Sequence, residues 1–336
     1  MKYMVVTIKD VAKEAGVSPG TVSRVLSGQK KFYGPKAEAK VLEAAAKLGY
    51  QKNILASNLV KKKNNVIAVV ISSVQTNFAD SIIRGINKVA SENNFDVIYT
   101  YTTSLDEGNQ PHVIDMLTSR RVSGIVLASV ILDKESITKI ERADIPYTFV
   151  SITPENETRT ISSDDVDIGY QATKYLINQG HRRIGLAGLD NQYYTGKRRF
   201  EGYKKALKEI NVSPKKEWLF PGDYSYESGY DALKYYKKIQ NVTAVITASD
   251  TCAVGMLNSA TDNGVRIPEE LSILSIDGTN LCEIARPRLT SVSQNFEEMG
   301  QQGILALIDM IKFKSTEISR KVIDVKIDER DSVKRI

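Results

Sequence analysis

From Val66 onward the chain alternates between two hydrophobic patterns. Short, continuous β-branched runs such as Val66-Ile-Ala-Val-Val-Ile71 read as strands covered on both faces, and the stretches between them repeat their apolar positions at helical spacing. The spacing predicts a helix over 79–93, a strand over 95–100, a helix over 110–119, a strand over 124–128, a helix over 134–142 and a strand over 146–151. The alternation restarts with a helix over 168–179 and strand 184–187. Helix 198–210, a short strand 218–220, helix 226–239, strand 244–247, helix 251–263 and strand 272–275 follow. A last helix over 297–311 precedes one strand over 322–327. Repeated βα units predict parallel sheets with right-handed crossovers. They are too many for one compact sheet, and the count divides near 151–165 into two halves of similar build.

The first fifty residues differ. Thr7 is placed to cap a helix, with Asp10 completing a box-like cap, and Ile8, Val11, Ala12 and Ala15 give one apolar stripe. Gly16 supplies the stop, Val17 reads as a buried plug, and Ser18 caps a second helix that Pro19 opens. Val22, Val25 and Leu26 turn inward on that helix, while Thr21, Ser23 and Arg24 face out. A loop over 27–34 leads to a third helix from Pro35, with Val41, Leu42, Ala45 and Leu48 as its inner face and Gly49 as its stop. Helix, glycine turn and polar-faced helix make a helix-turn-helix, although any small helical hairpin shares the spacing.

Charge separates those readings. Residues 1–63 carry thirteen Lys and Arg against four Asp and Glu, an excess of nine positive charges, whereas the remainder, with 33 basic and 36 acidic residues, is net −3. A basic head on a mildly acidic body is the footprint of a phosphate-backbone binder. Between them, Asn53-Ile-Leu-Ala-Ser-Asn-Leu59 could form two marginal helical turns beside Lys61, Lys62 and Lys63, or could be an inert linker.

Two cysteines, Cys252 and Cys282, make neither a disulfide framework nor a metal set and read as reduced thiols. Met-Lys-Tyr-Met-Val-Val is too short for a signal peptide and no apolar run approaches a membrane span, so a soluble, cytoplasmic protein is expected. The only histidines, His112 and His181, fall in different halves, and His181 reads as a structural residue at a helix-to-strand turn. No glycine-rich phosphate loop is present: Gly185 and Gly188 lack the required order. Neither catalysis nor a metal or other cofactor is expected.

Polar and aromatic residues gather just beyond predicted strand ends, namely Asn77, Phe78, Ser151, Asp164, Ser249, Asp250 and Asp277, with Arg199 at a helix start. Each alone could be a cap or a solvated loop end. Together they suit a cleft ligand rich in hydroxyls, because carboxylates and guanidinium groups bond vicinal hydroxyls and an aromatic face packs on a sugar's C–H side.

These residues resemble the lac repressor/gal repressor family of bacterial regulators over nearly the whole chain. The carriers are Thr7 to Ser27, Val41 to Tyr50, Asn53 to Leu59, Gln179-Gly-His-Arg-Arg-Ile184, Arg199-Phe-Glu-Gly-Tyr203, Ala248-Ser-Asp250 and Pro287-Arg-Leu-Thr290. The resemblance implies an all-α helix-turn-helix headpiece (1–51), a hinge helix and linker (52–65) and a two-lobed effector-binding and dimerisation domain (66–336) of periplasmic-binding-protein type. Its N-subdomain would hold 66–161 and 293–322, and its C-subdomain 162–292 and 323–336. Thr7, Ser18, Pro19, Gly20, Thr21, Ser23, Arg24, Asn53, Ala56 and Leu59 would meet DNA, with Arg24 on a base edge and Leu59 wedged into the minor groove. Arg199 and Asp277 would bind effector, with Phe78, Tyr224 and Phe296 as aromatic contacts and Asn77, Ser151, Ser249 and Asp250 as polar ones.

Gly20 has no side chain to read bases, and Ser151 stands where several sugar-binding members carry aspartate. The charged tail 328–336 lacks tetramerising heptads, so a dimer is expected. The implied function is a homodimeric repressor of carbohydrate-utilisation genes that leaves a palindromic operator when a sugar or sugar phosphate binds. The alternatives are a member needing a corepressor or a phosphorylated carrier protein, and a sugar-binding protein that does not touch DNA.

Overall fold

The computed structural model describes residues 6–50, 65–72, 77–102, 109–154, 157–190, 194–239, 241–314 and 320–336. It divides into two compact units, Met1–Asn64 and Asn65–Ile336. Asn53, Ala56 and Leu59 lie outside the described residues.

The first unit holds α1 (Ile8–Ala15), α2 (Pro19–Leu26), a 3-10 turn (Lys30–Phe32) and α3 (Pro35–Leu48) around Val11, Ala12, Ala15, Val22, Val25, Val41 and Ala44. Asp10 accepts hydrogen bonds from the Thr7 backbone N (2.8 Å) and hydroxyl (2.6 Å), fixing the entry to α1. Gly16 ends it at φ 64°, where a side chain would be strained. Two expectations change here. Val17 is only half-buried, and Leu42 is 51% exposed, because the inward phase of α3 runs through Val41 and Ala44 instead.

The second unit contains two six-stranded sheets. The first is built from β1 (Val66–Ser72), β2 (Asp96–Thr102), β3 (Gly124–Ala128), β4 (Tyr147–Val150), β5 (Thr160–Ser162) and β11 (Lys321–Val322), in the order β11-β5-β4-β3-β1-β2. The second uses β6 (Ile184–Leu189), β7 (Leu219–Pro221), β8 (Ala244–Thr247), β9 (Ser272–Asp277), β10 (Thr290–Gln294) and β12 (Val325–Asp328), ordered β12-β10-β9-β8-β6-β7. All neighbours are parallel except β10 and β12. The run expected as one strand over 322–327 is therefore split at Ile323 and Asp324 between two sheets. The three-residue β5 and the five-residue β10, which lies between β9 and β12, were not foreseen, being short and rich in Ser and Thr.

Alternate residues of β1 feed opposite cores. Ile67, Val69 and Ile71 meet α4 (Ala79–Glu92) and α12 (Phe296–Phe313), while Ala68 and Val70 meet α5 (Gln110–Ser119) and α6 (Lys134–Arg142). The second sheet is covered by α7 (Asp165–Asn178) and α8 (Tyr194–Lys208) on one face, and by α9 (Tyr226–Ile239) and α10 (Asp250–Asp262) on the other. Both faces being covered explains the continuous apolar runs. The short α11 (Leu281–Ile284) lies before β10. The chain passes between lobes three times, at β5–α7, β10–α12 and β11–β12.

Reciprocal glycines set three helix contacts. A Cβ on Gly85 would lie 2.1 Å from the Glu297 carbonyl, on Gly202 2.0 Å from that of Val166, and on Gly229 1.8 Å from that of Cys252. The tail is tied down: His181 contacts Thr243 Oγ1 through Nδ1 (2.9 Å) and the Lys334 carbonyl through Nε2 (3.1 Å), and Ile336 N donates to the Gln179 carbonyl. This is the structural role expected of His181.

Candidate functional site

The outward side of α2 is short and polar. Ser18 Oγ accepts from Thr21 N at 3.1 Å and pairs with the Thr21 hydroxyl at 2.9 Å, so both hydroxyls support the helix start. Pro19, Gly20, Ser23 and Arg24 are exposed and Thr21 is half-buried. Thr7 is exposed, with its hydroxyl on Asp10.

In the second unit a cavity of about 340 Å³ lies between the lobes, at the low end of the ~300–1,000 Å³ typical of small-molecule sites. Of the expected effector residues, Phe78, Ser151, Arg199, Tyr224, Ser249, Asp277 and Phe296 line it. Phe78 and Phe296, more than two hundred positions apart, stack with centroids 4.5 Å apart and planes 12° from parallel. Gln110, Ser129, Asp190, Tyr194, Asp223 and Gln294 also line it and were not foreseen. Gln294 stands at the end of β10, a strand the periodicity did not reveal.

Two expected residues do not line the cavity. The Asn77 amide donates to Thr251 Oγ1 on the other lobe at 3.3 Å, so it bridges the lobes instead. Asp250 is buried beneath the site, accepting from Thr279 N at 2.6 Å and from Ser291 Oγ at 3.3 Å. Asp164, another strand-end candidate, caps α7 by accepting from Val166 N.

Arg199 lies inside α8, one turn later than expected, and is 7% exposed. Its Nε donates to Asp165 Oδ1 and its Nη1 to the Ala248 carbonyl, both at 3.0 Å, which leaves Nη2 for a ligand. Burial works against its charge, but the carboxylates of Asp165 and Asp277 outweigh this and raise its pKa. Ser249 Oγ donates to the Tyr224 carbonyl at 2.7 Å and caps α10 by accepting from Cys252 N. The Tyr224 hydroxyl is buried with no hydrogen-bond partner among the described residues, and burial pushes its pKa up to about 12, so it is a neutral donor. Ser129, Ser151, Tyr224 and Asp277 all have left-handed φ (56°, 66°, 67° and 118°), a concentration of backbone strain typical of ligand sites.

Burial, then the nearby Asp250 charge, push Asp277 well above the usual carboxylate range, while Gln294 Nε2 donates to its Oδ1 at 3.0 Å. A carboxyl with a raised native pKa makes the folded chain hold a proton that the unfolded chain releases above ~3.9. Stability therefore falls as pH rises from there through the native value. Asp277→Asn removes this loss and keeps an acceptor for Gln294. Its melting midpoint should exceed that of wild type at pH 8, with the gap shrinking towards pH 4. A gap that widened on acidification would contradict the assignment.

Among the described residues no group of His, Cys, Asp and Glu could hold a metal ion, and no helix is long and apolar enough to cross a membrane. A helix-turn-helix unit joined to a two-lobed unit with an interlobe cavity is the build of a ligand-controlled DNA-binding regulator. Residues 7–53 match the model for bacterial regulatory proteins of the lacI family, and 173–333 that of a periplasmic binding protein-like domain. The chain is 30% identical over 322 residues to the HTH-type transcriptional repressor PurR of Pasteurella multocida, covering 95% of each. It is similar to the lac repressor dimer bound to operator and the anti-inducer ONPF (TM-score 0.87, 25% identity, 98% and 100% covered). It is also similar to the transcriptional regulator CelR in complex with cellobiose (0.73, 28%, 97% and 99%). The chain belongs to the lacI (lac repressor/gal repressor) family: it is a DNA-binding transcriptional repressor with an effector-binding domain, and not an enzyme.

Proposed function

We propose that the protein is a homodimeric, cytoplasmic repressor of carbohydrate-utilisation genes whose effector is a neutral sugar. The observation that carries this is the composition of the cavity wall. Arg199 is the one Lys or Arg among the described lining residues, and Asp165 already pairs with it, whereas Asp190, Asp223 and Asp277 line the same space. A phosphate would bring its charge towards the Asp190 and Asp223 carboxylates and find no unpaired cation among the described lining residues. Hydroxyls, which donate and accept, suit Asp277, Gln294, the Tyr224 hydroxyl and the spare Arg199 donors, and the Phe78–Phe296 stack offers an apolar face. The cellobiose seen in CelR is in keeping with this chemistry.

In this reading Pro19, Gly20, Ser23 and Arg24 meet the operator, with Thr7, Ser18 and Thr21 beside them. The hinge residues Asn53, Ala56 and Leu59 complete the grip. Sugar bound to both lobes changes their closure, for which the Asn77–Thr251 bond and the three interlobe crossings are the movable ties. Hinge and headpieces then lose their joint hold, a coupling of ~1–3 kcal/mol or about 5–150-fold in operator affinity. The second copy is supported by β2, which pairs with β1 on one side, has no strand on its outer side among the described residues, and exposes Tyr99 (37%) and Tyr101 (61%).

A thermal-shift series of neutral mono- and disaccharides, the corresponding sugar phosphates and purine bases, run with and without operator DNA, tests the proposal. A neutral sugar at about 100 times its Kd should raise the midpoint by ~5–10 °C and release the DNA. Stabilisation by a purine or a sugar phosphate in its place would overturn the effector assignment, and tighter DNA binding would overturn its sign.

A further inference from the structure

We infer that Phe32 is a positioning residue for operator reading, holding the Arg24 guanidinium through a cation–π contact. The inference rests on the reading that Arg24 meets DNA. Phe32 closes the 3-10 turn Lys30–Phe32 directly after α2, and its side chain is 61% exposed. The guanidinium carbon of Arg24 lies 5.3 Å from the Phe32 ring centroid, within cation–π range. The turn is held in register by Gln29 N donating to the Arg24 carbonyl (3.0 Å) and Phe32 N to the Gln29 carbonyl (3.0 Å), so ring and arginine are fixed to the same backbone corner.

How the ring engages the arginine decides what that arginine can still do. A carboxylate partner would take the in-plane N–H donors, the same donors that form the bidentate pair with guanine O6 and N7. A ring in cation–π range forms no ion pair with those donors, so they remain available for a base edge. Arg24 makes no ion pair among the described residues, although Asp10, Glu14, Glu38 and Glu43 belong to the same unit. The long arginine side chain loses rotamer freedom to the ring before DNA arrives, so less entropy is lost on binding. Since Gly20 has no side chain to read bases, the recognition helix depends on how well Arg24 is aimed.

The test uses the full-length chain and a duplex carrying the site that the wild-type protein enriches from a random-sequence pool. Phe32→Ala, Phe32→Leu, Phe32→Tyr, Arg24→Ala and the Arg24→Ala/Phe32→Ala pair are titrated against it and re-selected on the pool. Phe32→Ala and Phe32→Leu should each weaken binding about two- to fivefold per headpiece, hence ~4–25-fold on a palindrome held by two. Both should relax base preference at the position whose preference Arg24→Ala erases, and Phe32→Tyr should restore it. Adding Phe32→Ala to Arg24→Ala should cost nothing more. Wild-type affinity and preference in Phe32→Leu would overturn the inference. So would an undiminished Phe32→Ala penalty in the Arg24→Ala background, which would mean that the ring touches DNA itself. If Arg24→Ala binds and selects as wild type, or no site is enriched, the DNA reading fails and the inference with it.

Discussion

Arg199→Ala should abolish the effector response while leaving operator binding in the absence of effector at its wild-type value. Among the described lining residues the arginine provides the one cationic donor group, and it lies in the second unit, outside the helix-turn-helix. Its removal also strands a largely desolvated carboxylate, 14% exposed. Asp165 accepts from Arg199 at 3.0 Å, and burial, its largest influence, already raises its pKa against the pull of that arginine. Breaking one side of such a pair costs ~3–5 kcal/mol. The single variant should therefore melt early, with a shallower loss at low pH, where Asp165 takes up a proton. Arg199→Ala/Asp165→Asn should recover most of the midpoint without recovering the response, which separates ligand contact from folding. Calorimetric melts together with gel-shift titrations in the thermal-shift ligand measure both. A normal response in the double variant would remove Arg199 from the site.

Gly229→Ala should be the most damaging single methyl in the ligand-binding unit. Its Cβ would stand 1.8 Å from the Cys252 carbonyl, and the reciprocal contact, Gly255 against the Tyr226 carbonyl, would be 2.0 Å, so α9 and α10 meet backbone to backbone with no side chain to yield. Forcing such helices apart costs about 3 kcal/mol, or ~6–12 °C in the midpoint. The displacement reaches the cavity, because α10 is capped by Ser249, which donates to the Tyr224 carbonyl at 2.7 Å. Effector affinity should fall at least tenfold in Gly229→Ala, read by calorimetric titration below the melting range. A variant that melted early yet bound normally would show that the helix pair and the cavity are mechanically separate.

Much of this architecture was legible in the residue order because its causes are local. Period, cap and stop residues act within one or two turns, so Asp10 on Thr7, Ser18 on Thr21 and Gly16 at φ 64° could be anticipated from spacing. Continuous β-branched runs identified strands covered on both faces. The charge excess over 1–63 marked the DNA-binding unit without reference to its fold. Leu42 shows the limit: an apolar residue beside Val41 reads as inward until the helix phase puts Ala44 in the core and leaves leucine in water.

Tertiary structure decided what depends on residues far apart in the chain meeting. Hydrophobicity says that a strand is buried, but not in which sheet, and so the run after Lys321 divides between β11 and β12. Asn77 and Asp250 stand at the expected strand ends, yet one bridges the lobes and the other lies beneath the cavity, since a strand end fixes position without fixing direction. The stack of Phe78 on Phe296, the bond from Gln294 to Asp277 and the ring of Phe32 under Arg24 each need two chain segments whose placement no local period encodes. By itself the sequence determined a basic helix-turn-helix and a repeating βα body, because helix periodicity, capping and charge act over a few residues. Which side chains share the cavity, and which are neutralised before a ligand arrives, follows from packing between elements and exists only in the folded chain.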